Sequence, residues 1–238
     1  MEQYDIIAQF YDEIMGDQEE VAAYIREFIL QRNPHAHSVL EIACGTGALM
    51  KQLSKYYEIT GLDKSSVMIA MAHHKFRHTT LYQLDMVDYK LKDKFEVIIC
   101  MNDSINHLLK FSDWKKLFAN AARHLNDGGI FIFDINTEFK LEEISVVPPM
   151  VHEFEDNILI IDVQKHRGRY EWGLRIFDHN SENSYSMYEE TLYEKSFPVK
   201  KIKEALSKQF KNIRVFDLDQ FKVTRRSERL YFVATKKQ

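Results

Sequence analysis

The chain has 238 residues, 45% hydrophobic and 13% aromatic, and a formal net charge of −4. At this length a fold buries about 70–75% of the surface its unfolded chain exposes, so one large core is expected and no disulfide framework is needed. The charge balance excludes a general pull toward nucleic acid or an anionic membrane; the basic runs at Lys200, Lys201 and Lys203 and at Arg225 and Arg226 read as a solvated helix face and a turn. Two cysteines, Cys44 and Cys100, without CxxC spacing suit a reducing cytoplasm. The opening stretch MEQYDIIAQFYDEIM has no basic n-region and does not read as a signal peptide. Runs such as GIFIFDI fall far short of the ~20 residues of a membrane span. A cytoplasmic protein with neither nucleic-acid nor membrane partners is expected.

Taken in chain order, Tyr4, Ile7 and Tyr11 stand at helical spacing and predict an amphipathic N-terminal helix docked on the core, usable as a lid. HSVLEIA (37–43) predicts a strand, and Leu49 and Leu53 begin a helix over 48–55. YEITGLD (57–63) predicts a second strand, and Ser65 or Ser66 an N-cap for the helix through VMIAMAHH. TTLYQLDM (79–86) and the continuous apolar FEVIICM (95–101) follow as strands, the latter buried on both faces. Residues 112–125 form an amphipathic helix with Trp114, Leu117, Phe118, Ala121 and Leu125 on one side; the turn signal Asn126–Gly129 precedes a fifth strand over 130–135. Such alternation predicts a mostly parallel, doubly wound sheet. Beyond residue 140, strand-like runs at 157–166, 169–179 and 184–197 predict an antiparallel meander. A helix over 198–209 and strands at 213–219 and 229–236 return to the sheet.

The loop in VLEIACGTGALMKQL (39–53) raises the question of its ligand. A P-loop needs Lys and Ser/Thr after the last glycine; Ala48, Leu49 and Met50 supply neither. A dinucleotide fingerprint needs a third glycine where Met50 stands. Three acids end predicted strands: Glu41, suited to a cationic amino group; Asp63, suited to a ribose diol through bonds of ~1.5–3 kcal/mol; and Asp85, suited to an exocyclic adenine amine. A cation, a ribose and a base without phosphates describe S-adenosylmethionine. A dinucleotide-dependent oxidoreductase and a non-catalytic cofactor-binding protein stay open as alternatives.

VLEIACGTGALMKQL, GLDKSSVMIAMA, LYQLDMVDY, FEVIICMNDSINHLL and LNDGGIFIFDI resemble, in order, the motifs of class I S-adenosylmethionine-dependent methyltransferases. IAQFYDEIM and CMNDSINHL are similar to pieces of the small-molecule, aminosugar N-methyltransferase-like members. The resemblance implies an α/β fold: a Rossmann-like, doubly wound, seven-stranded sheet with its last strand antiparallel, plus an antiparallel β insertion after strand five. The methyltransferase domain would span 1–139 and 198–238, and 140–197 would serve as a substrate, lid or dimer region. It further implies that Glu41, Ala43, Gly45 and Gly47 line the methionine and ribose, that Asp63 takes the ribose hydroxyls with Lys64 and Met68 beside the adenine, and that Asp85 and Met86 frame the base. Met101 and Asn102 would sit near the sulfonium, and Tyr11 would close over the methionyl end. Catalytic candidates are His107, as general base or as a helix-start packing residue, and Tyr11. Asp103 reads as an amine attractor or, preferred, a cap at Ser104. Tyr170, Trp172, Tyr185 and Tyr188 read as packing before pocket lining. His73, His74 and His78 lack partners at metal spacing, so no metal is expected. The implied acceptor is a small molecule, an amine or nucleotide-linked aminosugar among the candidates, and both a monomer and a homodimer are compatible.

Overall fold

The computed structural model describes residues 4–181, 184–220 and 222–238. The chain runs through α1 (Tyr11–Met15), α2 (Glu19–Arg32), β1 (Ser38–Ile42), α3 (Ala48–Leu53), β2 (Glu58–Asp63), α4 (Ser66–Lys75), β3 (Thr80–Gln83), β4 (Phe95–Cys100), α5 (Phe111–His124) and β5 (Leu125–Asn136). It then leaves the sheet for α6 (Glu138–Ile144), β6 (Met150–Phe154), β7 (Asn157–His166), β8 (Arg169–Ser181) and β9 (Ser184–Glu194). It returns through α7 (Val199–Leu206), β10 (Phe210–Phe216) and β11 (Arg229–Lys236).

The seven-stranded sheet has the order β10-β11-β5-β4-β1-β2-β3, and β11 runs antiparallel to both its neighbours. Successive residues of the central strands feed opposite faces. Val39, Val97, Ile99 and Ile132 pack under α2 and α3 through Ile25, Phe28, Leu49 and Leu53. Leu40, Ile98, Phe131 and Phe133 pack under α5 and α7 through Trp114, Leu117, Phe118 and Ile202. Burial on both faces is why these strands read as unbroken apolar runs; each such side chain contributes about 1.5–3 kcal/mol. The order reverses at β1: β2 pairs on one side and β4 on the other, which opens a crevice at their carboxyl ends. A second, antiparallel sheet, β6-β7-β8-β9, lies between β5 and α7 in the chain.

Several elements differ from expectation. β3 stops at Gln83: the Leu84 N–H makes the last ladder bond, to the Asp63 carbonyl, and Asp85 then turns the chain by accepting from the Val87 N–H at 2.9 Å. The turn expected at 126–129 is absorbed into β5, with Gly128 at φ +78° and an irregular register against β4. The predicted N-terminal helix is instead turns, a 3-10 segment at Ala8–Phe10 and the short α1. The buried Glu190 carboxylate takes the N–H groups of Tyr4, Ile6 and Ile7, holding them off a helical path. The segment docks on the second sheet, where Ile7 and Phe10 meet Leu159, Leu174, Ile176 and Leu192. Among the described residues no helix is long and apolar enough to cross a membrane.

Candidate functional site

A cavity of about 400 Å³ opens in the crevice beside the glycine loop. Asp63 builds its floor by joining two loops. Its Oδ2 accepts the Gly45 N–H at 2.8 Å and its Oδ1 the Ser65 N–H at 2.9 Å. Burial raises the Asp63 pKa, and these N–H groups oppose the rise. Ser65 caps α4 by accepting from the Met68 N–H at 3.0 Å while its hydroxyl donates to Asp5 at 2.6 Å. Lys64 Nζ lies 3.8 Å from Asp85 Oδ2, and both residues line the cavity. Met68, Leu84, Met86 and Leu108 add apolar surface around that acid, a setting suited to a flat base.

Gly47 does not line the cavity. Its φ is +81°, and a Cβ there would stand 2.7 Å from the Phe76 ring, so the glycine lets the end of α4 close on the loop. Met50, which breaks the dinucleotide fingerprint, is fully buried. The space it needs comes from Gly61 on β2, where a Cβ would lie 2.7 Å from the Met50 sulfur. The third glycine of the fingerprint has in effect moved across to the neighbouring strand.

The N-terminal arm covers the loop. Asp12 bonds the Thr46 hydroxyl and pairs with Lys75. The Tyr11 ring lies 3.6 Å from the Cβ position of Gly45 and edge-on to Tyr4 at 5.7 Å. Behind Tyr11 a cavity of about 10 Å³ is lined by Glu41, Gln18 and Met15; Ala43, Asn102, Ser104 and Tyr11 border both spaces. Glu41 is 3% exposed, and its Oε2 has no hydrogen-bond partner. Burial, with nearby Asp63, pushes its pKa well up. An uncompensated buried carboxylate is costly, and a cationic ligand would offset the cost. The acids and the orphaned oxygen therefore fit a ligand that carries a cation, a ribose and a base, as S-adenosylmethionine does.

After β4 the chain turns sharply: Asn102 and Asp103 have φ of 56° and 49°. This brings Asn102 and Ser104 to the cavity and leaves the Met101 side chain 2% exposed in the core, lining neither cavity. Asp103 makes no side-chain cap. Its Oδ1 instead accepts from Arg229 Nη2 at 2.6 Å, while Arg229 Nη1 bonds the fully buried Asp134 at 2.6 Å. Burial pushes the Asp134 pKa up to about 6 against the opposing Arg229.

His107 sits at the inner end of the cavity. Its Nδ1 is 2.9 Å from the Tyr193 carbonyl, its Nε2 2.9 Å from the Tyr4 hydroxyl. A carbonyl only accepts, so the neutral ring carries its proton on Nδ1, and Nε2 receives the Tyr4 O–H. Burial lowers the His107 pKa and favours this neutral form. Polar atoms of Asp103, His107 and Glu194 cluster within 4.8 Å, yet each residue is engaged: Asp103 by Arg229, Glu194 by Asn136, His107 at both nitrogens. The cluster is a hydrogen-bonded support. Asn106 and Asn136 tie it to β9, through the Lys195 N–H on the Asn106 carbonyl and Asn136 Nδ2 on Glu194.

Tyr170, Trp172, Tyr185 and Tyr188 line neither cavity. Tyr170 donates to Glu138, and Tyr188 packs on Phe10. The insertion serves the site through the Tyr193 backbone. Sequence reasoning missed Tyr4 as a partner of His107, Arg229 as a partner of Asp103, and Gln18; only Gln18 left a local signal, as an unusual residue before a helix.

A family profile described as a methyltransferase domain matches residues 39–129, the stretch that holds the glycine loop, Asp63, Asp85 and His107. The chain is 30% identical over 246 residues to YqeM of Bacillus subtilis (strain 168), a protein provisionally assigned as a methyltransferase, covering 98% of this chain and 97% of the relative. It is also 30% identical over 131 residues to the dTDP-3-amino-3,4,6-trideoxy-alpha-D-glucopyranose N,N-dimethyltransferase of Streptomyces venezuelae, covering 55% of each. It superposes on an S-adenosylmethionine-dependent methyltransferase from Clostridium acetobutylicum ATCC 824 with a TM-score of 0.87 at 26% identity, covering 99% of both chains. The chain belongs to the class I S-adenosylmethionine-dependent methyltransferases, and S-adenosylmethionine is its cofactor.

Proposed function

We propose that this enzyme methylates a nitrogen or oxygen of a small-molecule acceptor by in-line displacement. The bound cofactor supplies a methyl carbon on a sulfonium, whose C–S bond pair stays on sulfur as the acceptor's lone pair takes the methyl. The protein then has to align the acceptor and remove its proton. Alignment can lower a barrier by ~7–11 kcal/mol. The observation that carries the proton step is the Tyr4–His107–Tyr193 chain. With Nδ1–H fixed on a carbonyl, His107 Nε2 is the basic atom of the ring; it accepts from the Tyr4 hydroxyl, and both residues line the cavity. A proton released by the acceptor passes to the Tyr4 oxygen as Tyr4 gives its own proton to Nε2, leaving imidazolium. Nearby Asp103 favours that cation, since its charge acts to raise the His107 pKa. Tyr11, whose phenol is held protonated by burial, acts as a wall between the cavities.

The Streptomyces venezuelae relative supports an aminosugar acceptor, in which the nucleophile is an amine. The insertion, residues 140–197, then serves as the seat of the N-terminal lid and, through the Tyr193 carbonyl, as the support of His107. The test is a methyl-donor turnover assay with dTDP-linked aminosugars, free amines and hydroxylated metabolites. Methylated amine product and stoichiometric S-adenosylhomocysteine are expected. Cofactor binding without product from any of these acceptors sinks the small-molecule reading.

A further inference from the structure

We infer that Gln18 is a cofactor-binding residue, accepting a hydrogen bond from the ammonium of S-adenosylmethionine opposite Glu41. This rests on the cofactor assignment above and adds a contact from the N-terminal arm. Gln18 is 5% exposed and occupies the N-cap position of α2, where Ser, Thr, Asp or Asn is preferred. It makes no side-chain cap, so helix capping does not account for it. Its Nε2 donates to the Met15 carbonyl at 3.0 Å. Because that carbonyl can only accept, the amide orientation is fixed, and the free end of the side chain is the Oε1 acceptor. Oε1 is buried without a hydrogen-bond partner.

Gln18 Oε1 and Glu41 Oε2 are thus both buried without a partner, and their residues line one cavity of about 10 Å³. That is close to the least volume that holds a single water-sized group. An ammonium has this size and brings three donors and a positive charge, which answers the carboxylate as well as the amide oxygen. The small cavity adjoins the main one across Tyr11, Ala43, Asn102 and Ser104, so a ligand whose ribose lies on Asp63 reaches it with its amino-acid end. Gln18 follows directly on the arm that carries Tyr4 and Tyr11.

The test is calorimetric binding to the full-length protein and its Gln18→Met variant, which keeps the side-chain length and removes the acceptor. The probes are S-adenosylhomocysteine and its deaminated analogue, which keeps the carboxylate and lacks the ammonium. The unmodified protein should prefer S-adenosylhomocysteine, and in Gln18→Met that preference should shrink by about tenfold, about 1.4 kcal/mol. An equal loss on both probes makes Gln18 a structural support of the arm and overturns the inference, as does an unchanged preference. If the variant is misfolded by circular dichroism, the unmodified protein decides: crystals with S-adenosylhomocysteine must show the ammonium within hydrogen-bond distance of Gln18 Oε1, and any other partner overturns it. Failure of the unmodified protein to bind S-adenosylhomocysteine at all refutes the cofactor assignment instead.

Discussion

Asp63→Asn is the most direct probe of the cofactor floor. The native carboxylate serves two backbone donors, Gly45 N–H at 2.8 Å and Ser65 N–H at 2.9 Å, with one oxygen each. An asparagine offers one acceptor oxygen and one NH₂, so one of these donors must face another donor. A stranded buried donor costs about 1–3 kcal/mol. At about 2–4 °C per kcal/mol for a chain of this size, the free protein should melt a few degrees lower. The ribose loses a charge-assisted acceptor, and such bonds are roughly twice as strong as neutral ones. Together with a loosened Gly45, this should weaken S-adenosylhomocysteine binding by about ten- to a hundredfold, or about 1.4–2.8 kcal/mol. Calorimetry on the folded variant reads the affinity, and scanning fluorimetry the melting point. A lower melting point with affinity within about twofold of the native value would falsify the ribose assignment, leaving Asp63 as a loop tie.

Four further outcomes follow from the geometry. His107→Gln should lower turnover by about 10²-fold or more while cofactor affinity changes little, and Tyr4→Phe should shift in the same direction; loss of affinity without loss of turnover would make the pair structural. Because burial holds the His107 pKa below its ordinary value, the base stays neutral at lower pH, and the acid limb of kcat should fall below the usual histidine range near 6.5; a limb above that range contradicts the assignment. Glu41, whose pKa is raised in the free protein, should lose its proton when an ammonium arrives. Binding should therefore release protons, affinity should rise with pH up to the raised value and level off above it, and Glu41→Gln should abolish the release, as read by calorimetry in buffers of different ionisation enthalpy. Gly61→Ala should cost about 1–3 kcal/mol through the Met50 sulfur at 2.7 Å, and Met50→Ala should partly rescue it; strictly additive melting shifts would show that the two do not share that space.

The sheet was legible because its signals are local. Val39, Leu40, Ile98 and Ile99 are apolar in unbroken runs since both faces are covered, and Asp63 stands out as the acid that ends β2. The glycine loop could be read for what it lacked. What was not legible depends on contacts between distant residues. Tyr4 and Tyr11 look like a helix face, yet Glu190, 186 residues from Tyr4 along the chain, takes the backbone donors that decide their path. Asp103 looks like a cap until Arg229, 126 residues away, claims its side chain. Met101 follows an apolar strand like any ligand-facing residue, and only the left-handed turn at Asn102 and Asp103 sends it into the core.

These distant contacts converge on β9. Glu190 seats the backbone of the N-terminal arm, Leu192 packs against Ile7 and Phe10, the Tyr193 carbonyl sets the tautomer of His107, and Glu194 anchors Asn136 at the end of β5. Alternation along a strand explains how one segment can do this. The even-numbered side chains 190, 192 and 194 are buried and turn inward toward the arm and the main sheet. Tyr193 faces the other way and contributes only its backbone. A displacement of β9 would therefore move the N-terminal arm and the His107 ring together. The insertion follows strand five in the chain, but in space it joins the N-terminal arm to the His107 turn after β4.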